Sequence, residues 1–230
     1  MKLKRTFLSA LCALLLGFQA QAQTTAAKWD STYRPAAYEL KVAQFKSYPN
    51  AANDIVFLGN SITANTDWAE LLGMSNVKNR GISGDITFGV LERLDEVIEG
   101  KPAKVFILIG INDISRNIPD HVITANHRKM VARIKAGSPK TRIYFQTLMP
   151  VNNTFDKFKN HYNKDEHIAA VNQGIKDLAK KEKIEVIDLH PHFLDSEKRL
   201  VKEYTHDGLH LTVAGYQKWV EVLKKGNYLK

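Results

Sequence analysis

At 230 residues, with 33 lysines and arginines against 24 aspartates and glutamates, the chain carries a formal charge of +9 and a single cysteine. This length suits one α/β domain and permits no more than two. The basic residues are scattered, and the sequence contains no dense Lys/Arg tract, repeat or Pro/Gly-rich linker, which excludes a nucleic-acid-binding arm and a modular array.

The N-terminus begins with Lys2, Lys4 and Arg5, continues with an apolar stretch over residues 7–18, and reaches Ala20-Gln21-Ala22. That order is expected of a secretory signal peptide cleaved near Ala22 rather than of a buried helix. Residues 1–22 are therefore read as a leader and residues 23–230 as one exported domain, periplasmic or extracellular, with no stable membrane anchor. Cys12 lies inside the leader after Ser9-Ala10-Leu11, a poor match to a lipid-attachment site, so export comes without disulfides. No later apolar run reaches the roughly 18 residues of a membrane helix.

Beyond the leader, residues 35–48 predict an extra outer helix ended by Pro49. Short apolar runs then predict strands at 54–58, 77–79, 105–109, 142–146 and 185–187. Ile118-Pro119 opens a long helix that ends at Gly137, with Val122, Ile123, Met130, Val131 and Ile134 on its apolar face. Thr212 is a candidate N-cap for a last helix carrying Val213, Tyr216, Val220 and Leu223. Strands alternating with helices imply a three-layer α/β/α fold around a parallel sheet, because parallel crossovers need connections of that length.

Ligands of open parallel sheets bind beyond the carboxyl ends of the strands, and the chemically suggestive residues fall there. Ser61 follows the first strand in Gly59-Asn60-Ser61, where Gly59 allows a tight bend and a helix start offers N–H groups to an oxyanion. Gly84 follows the second strand, with Asp85 as a cap for the next helix. Its missing side chain lets the backbone approach a substrate. Asn112, after the most apolar strand, is a neutral amide donor suited to an oxyanion, and Asp113 beside it is read as a brace. Asp207 lies three residues before His210, so its carboxylate can hold the ring's Nδ1–H and leave Nε2 to take a proton from a serine hydroxyl. His206 is expected to point elsewhere.

Other chemistries fit less well. His190, His192, His206 and His210 with Asp188 and Asp207 match no usual zinc spacing, and no thiol is available. Neither a Walker sequence nor G-x-G-x-x-G follows the first strand.

The blocks Gly59-Asn60-Ser61, Asn79-Arg80-Gly81-Ile82-Ser83-Gly84, Gly110-Ile111-Asn112-Asp113 and Asp207-Gly208-Leu209-His210 resemble, in order, those of the SGNH or GDSL hydrolases. The resemblance spans roughly residues 54–211 and is strongest to small bacterial acetylesterases and the platelet-activating-factor acetylhydrolase-like group. It implies a flavodoxin-like sheet, Ser61 as nucleophile, Asp207 and His210 as its partners, and oxyanion donors at Ser61, Gly84 and Asn112. One departure is visible: Asn60 stands where the family usually has Asp.

A small-molecule or glycan ester is the expected substrate, with short acyl groups on carbohydrates favoured and no cofactor required. Alternatives are a lysophospholipase- or thioesterase-type acylhydrolase with a long apolar groove, and a glycan-binding module that kept the fold without catalysis. Oligomeric state is left open. Histidine base catalysis predicts a rate that falls on acidification.

Overall fold

The computed structural model describes residues 29–230, and the leader assigned to residues 1–22 lies outside them. β1 (Ile55–Gly59), β2 (Val77–Gly81), β3 (Lys104–Leu108), β4 (Arg142–Gln146) and β5 (Glu185–Ile187) form one parallel sheet in the order β2-β1-β3-β4-β5. Helices separate the strands: α1 (Tyr38–Ser47), α2 (Ser61–Ala64), α3 (Trp68–Leu72), α4 (Thr87–Glu92), α5 (Leu94–Glu99), α6 (Ile111–Ser115), α7 (Asp120–Gly137), α8 (Asp165–Glu182) and α9 (Val213–Lys225). The expected α/β class and flavodoxin-like order are present.

Strand limits differ from the sequence reading by a few residues, for reasons of pairing. β2 runs on to Gly81 because Asn79, Arg80 and Gly81 pair with Phe57, Leu58 and Gly59. β3 starts at Lys104, which pairs with both Ile55 and Arg142. Val213, expected on the apolar face of the last helix, is 74 % exposed. Tyr216, Val220 and Leu223 are buried as expected, joined by Trp219, while Val213 at the first helical position is left uncovered.

All the β1 and β3 residues are buried, as strands covered on both faces must be. The register sets Phe57, Phe106 and Tyr144 side by side on one face, their rings stacked 4.8 and 4.6 Å apart. Trp68 of α3 stacks on Phe57 at 4.0 Å, and Trp219 of α9 meets Trp68 edge-on at 4.7 Å. Each such pair contributes about 0.5–1.5 kcal/mol beyond burial. Phe145 turns to the opposite face, where His127 of α7 lies against it at 4.7 Å. This rigid centre fixes the strand ends on which the functional residues stand.

α1 lies outside the sheet, as expected, with Tyr38 donating its hydroxyl to the Gly89 carbonyl at 2.7 Å. Phe45 of α1 lies under the guanidinium groups of Arg80 and Arg93, at 5.0 and 5.8 Å. The segment before it does more than pack: Tyr33 and Pro35 reach the cleft described next.

Candidate active site

The chain leaves β1 and turns at once into α2, whose first residue is Ser61. Asn60 caps this helix, its Oδ1 accepting the Ile62 N–H at 3.0 Å. An amide oxygen does here what a carboxylate would do, so Asn60 keeps the capping acceptor without its charge. Gly59 serves the turn differently from expectation. A side chain there would collide with Thr63 Oγ1 and the Leu108 carbonyl, so it is close packing against α2 and β3, rather than a bend, that excludes a Cβ.

β2 and β3 leave β1 in opposite directions across the sheet, so a crevice opens beyond the β1 end, the topological switch point. His210 arrives over that crevice from the far end of the chain. Its Nδ1 donates to Asp207 Oδ2 at 2.7 Å, and its Nε2 faces the Ser61 hydroxyl at 2.9 Å. Asp207 Oδ1 accepts the backbone N–H groups of His210 and Leu209 at 2.7 and 2.9 Å. Burial pushes the Asp207 carboxyl upward, but those N–H groups and the ring of His210 outweigh it and hold it below its ordinary value. A carboxylate that stays ionised fixes the imidazole tautomer, leaving Nε2 unprotonated toward the serine. The loop itself is tied by Thr205, whose hydroxyl donates to the His210 carbonyl at 2.7 Å and accepts the Gly208 N–H at 2.9 Å.

Gly84 adopts φ +82°, a conformation that costs other residues energy, and its missing Cβ faces Pro35 and the Tyr33 hydroxyl. Asp85 is not the simple helix cap expected. Buried completely, it receives Arg93 Nε at 3.0 Å, while the same guanidinium donates to the Gly59 carbonyl at 3.1 Å. Desolvation raises the Asp85 carboxyl and Arg93 opposes the rise. The pair fastens the Gly84 loop to the end of β1. Asp113 is the brace expected, accepting the Thr87 N–H at 3.0 Å and the Thr87 hydroxyl in complete burial, which lifts it to about 7.

Asn112, in the first turn of α6, donates one Nδ2 hydrogen to the Asp85 carbonyl at 2.9 Å. Its other Nδ2 hydrogen is then free for the cleft, as are the N–H groups of Ser61 and Gly84, for which no acceptor occurs among the described residues. Asn112 Oδ1 lies 3.0 Å from Nε2 of His161. Burial first, then the neighbouring His210 ring and the cations Lys164 and Arg116, lower His161 to about 4. It is therefore neutral near pH 7, and only the Nε2–H tautomer donates to that oxygen.

Ser61, Gly84, Asn112, His161 and His210 line one cavity of about 730 Å³, with Asp207 buried behind His210. All five residues expected from the sequence thus meet. Two histidines behave otherwise than read. His206 stands 3.5 Å from Asp207 Oδ2 rather than pointing away, its ring turned toward the side chain of the next residue. His161 was not anticipated; its position on the connection after β4, at the same rim as the other site residues, was the available signal.

The GDSL-like Lipase/Acylhydrolase family model matches residues 57–218. The human platelet-activating factor acetylhydrolase IB subunit alpha2 is 27 % identical over 172 residues, 72 % of each chain. Among solved structures, a Streptococcus pneumoniae protein whose description names platelet activating factor superposes with TM-score 0.76 at 32 % identity, covering 84 % of this chain and 92 % of that one. A GDSL-like lipase from Bacteroides thetaiotaomicron gives 0.72 at 25 % identity, covering 82 % and 96 %. An acetylxylan esterase from Geobacillus stearothermophilus, 21 % identical and covering 77 % and 94 %, shares the fold with TM-score 0.62. The protein belongs to the GDSL-like lipase/acylhydrolase family, the SGNH hydrolases, and is an ester-hydrolysing enzyme.

Proposed function

We propose that Ser61, His210 and Asp207 form the catalytic triad of an exported esterase that removes short acyl groups, above all acetyl, from carbohydrate hydroxyls. The observation that carries this reading is the unbroken Asp207–His210–Ser61 line, with contacts of 2.7 and 2.9 Å, at the mouth of a cleft holding three unused donors. His210 Nε2 takes the Ser61 proton as Oγ bonds to the acyl carbon. The resulting oxyanion is held by the N–H groups of Ser61 and Gly84 and by the Asn112 amide. His210 passes its proton to the alcohol oxygen as the ester bond breaks. Water then attacks the acyl-serine, gives a proton to His210 and restores Ser61.

A short acyl group is favoured because the lining holds few large apolar side chains, chiefly Tyr33, Phe158 and Leu209, where a long chain would need an extended apolar groove. Carbohydrate is favoured because the cleft is wide and edged by polar side chains, and because acetylxylan esterases share this fold. Export as one domain follows the reading of residues 1–22 as a leader.

A fluorophosphonate should label Ser61 in the folded protein, and acetyl esters, including O-acetylated oligosaccharides, should turn over faster than long-chain nitrophenyl esters. All turnover should vanish in Ser61→Ala. Absence of a Ser61 adduct would favour a non-catalytic glycan-binding module; preference for long chains would favour a lysophospholipase or thioesterase.

A further inference from the structure

We infer that the cleft continues past Ser61 into a binding site for a carboxylate-bearing sugar of the acylated glycan, built from Arg116 and Trp29. The proposal rests on the reading of Ser61 as the nucleophile of a carbohydrate esterase. Arg116 is the residue on which α6 ends, so the short helix that presents Asn112 to the oxyanion also presents a guanidinium to the same cleft. Arg116 is half-buried, and its guanidinium carbon lies over the ring of Tyr33, 3.1 Å from the ring centre. Among the described residues it forms no ion pair, so its planar fork of donors is pre-oriented and uncommitted.

On the inner side, toward Ser61, the charged side chains beside it are basic. Lys157 also lines the cleft and lacks an ion pair among the described residues, whereas Lys159 is held by Asp156 at 2.8 Å. Among the described residues, no carboxylate side chain lines this cleft. A second cavity of about 430 Å³ adjoins it and shares Ser115, Arg116 and Asn160, so Arg116 stands at the junction of the two. The outer cavity is walled by Trp29, which stacks on Phe88 at 5.9 Å and keeps 38 % of its surface exposed. Asp30 also lines it; its Oδ1 accepts from the hydroxyl and backbone of Thr32, both at 2.7 Å, and these bonds lower its carboxyl, with the Arg116 charge near enough to help.

An acetyl group needs only the space at Ser61, so the remaining room and the outer cavity suit the alcohol portion of the substrate. An exposed indole face packs against the C–H face of a pyranose, and a planar guanidinium accepts a carboxylate through two parallel hydrogen bonds. A sugar acid supplies both groups at once.

Calorimetric titration of the intact protein with unacetylated trigalacturonic acid, xylotriose and inorganic phosphate tests the site without requiring turnover. Trigalacturonic acid should bind at least about tenfold more tightly than xylotriose. Its affinity should fall about tenfold in Arg116→Gln, less in Arg116→Lys, and also in Trp29→Ala, while Asp30→Asn should strengthen it and added salt weaken it. Equal binding of the acidic and neutral sugars, or unchanged affinity in a folded Arg116→Gln, would overturn the proposal. Phosphate binding as tightly as the sugar acid would overturn it in favour of a phosphate-bearing substrate. Sugar-acid binding by a protein that hydrolyses no acetyl ester would reject the esterase reading alone; acetyl-ester turnover without the binding difference would reject this site alone.

Discussion

His161 Nε2 lies 3.0 Å from Asn112 Oδ1, so the side chain proposed as an oxyanion donor is itself held by a neutral imidazole from a distant loop. With Asp85 accepting from the amide nitrogen on the other side, the amide cannot flip without losing both contacts. Asn112→Ala should lower kcat about 10²–10³-fold with KM little changed, as loss of an oxyanion donor does. His161→Phe should lower kcat about tenfold, in the same direction and for the same reason, and His161→Gln should recover part of it by donating to Oδ1. In the double variant the His161 effect should largely disappear. Additive losses in the steady-state parameters would show that His161 acts elsewhere.

The tautomer of His210 depends on Asp207. Asp207→Asn keeps the shape but presents either an N–H or a neutral oxygen to Nδ1, so kcat should fall about 10³–10⁴-fold with substrate binding retained. Single-turnover kinetics with an acetyl ester check this, and a loss below tenfold would place the carboxylate outside the triad.

Asn60 offers a direct test of the departure from the usual family residue. Asn60→Asp preserves an acceptor for the Ile62 N–H, and esterase activity should stay within a few-fold of wild type. Asn60→Ala removes the acceptor and should cost about 1 kcal/mol, or about 2–4 °C in Tm. Thermal unfolding of the two variants separates the cap from the charge.

His127 carries a pH-dependent part of the stability. Fully buried, it lies with Nε2 3.1 Å from the Ile109 carbonyl, and desolvation lowers it to about 4. As pH falls from about 6.5, the unfolded chain binds a proton that the folded chain refuses, so stability is lost down to about pH 4. Asp113 works the other way: raised to about 7, it takes up its proton in the folded state first, so its contribution improves as pH falls from 7 toward about 4. His127→Gln leaves the Asp113 effect unchanged and removes the His127 effect. Urea unfolding should therefore show wild type losing more stability than His127→Gln between pH 6.5 and 4, by a difference on the order of 3 kcal/mol at the acid end. Parallel pH dependences would refute this origin.

The parallel α/β class, the strand positions to within a few residues, and the five residues at the cleft were legible in the chain because their signals are local. Short continuous apolar runs mark buried strands, a Gly-Asn-Ser turn marks a strand leading into a helix, and a carboxylate three residues before a histidine marks a ring it can reach. Other features exist only once distant segments meet. His161 sits in a loop with no periodicity and gains meaning from Asn112, Arg93 fastens Gly59 to Asp85, and Val213, at the first position of its helix, finds no neighbour among the described residues to cover it. Arg116 has the same composition-level signature as any surface cation; its placement over Tyr33 comes from packing between the N-terminal segment and α6. Sequence alone fixed the chemistry a hydroxyl, an imidazole and a carboxylate are able to perform. Tertiary structure decided which neutral and charged groups surround them, since hydrogen bonds and desolvation act through space over a few ångströms, irrespective of separation along the chain.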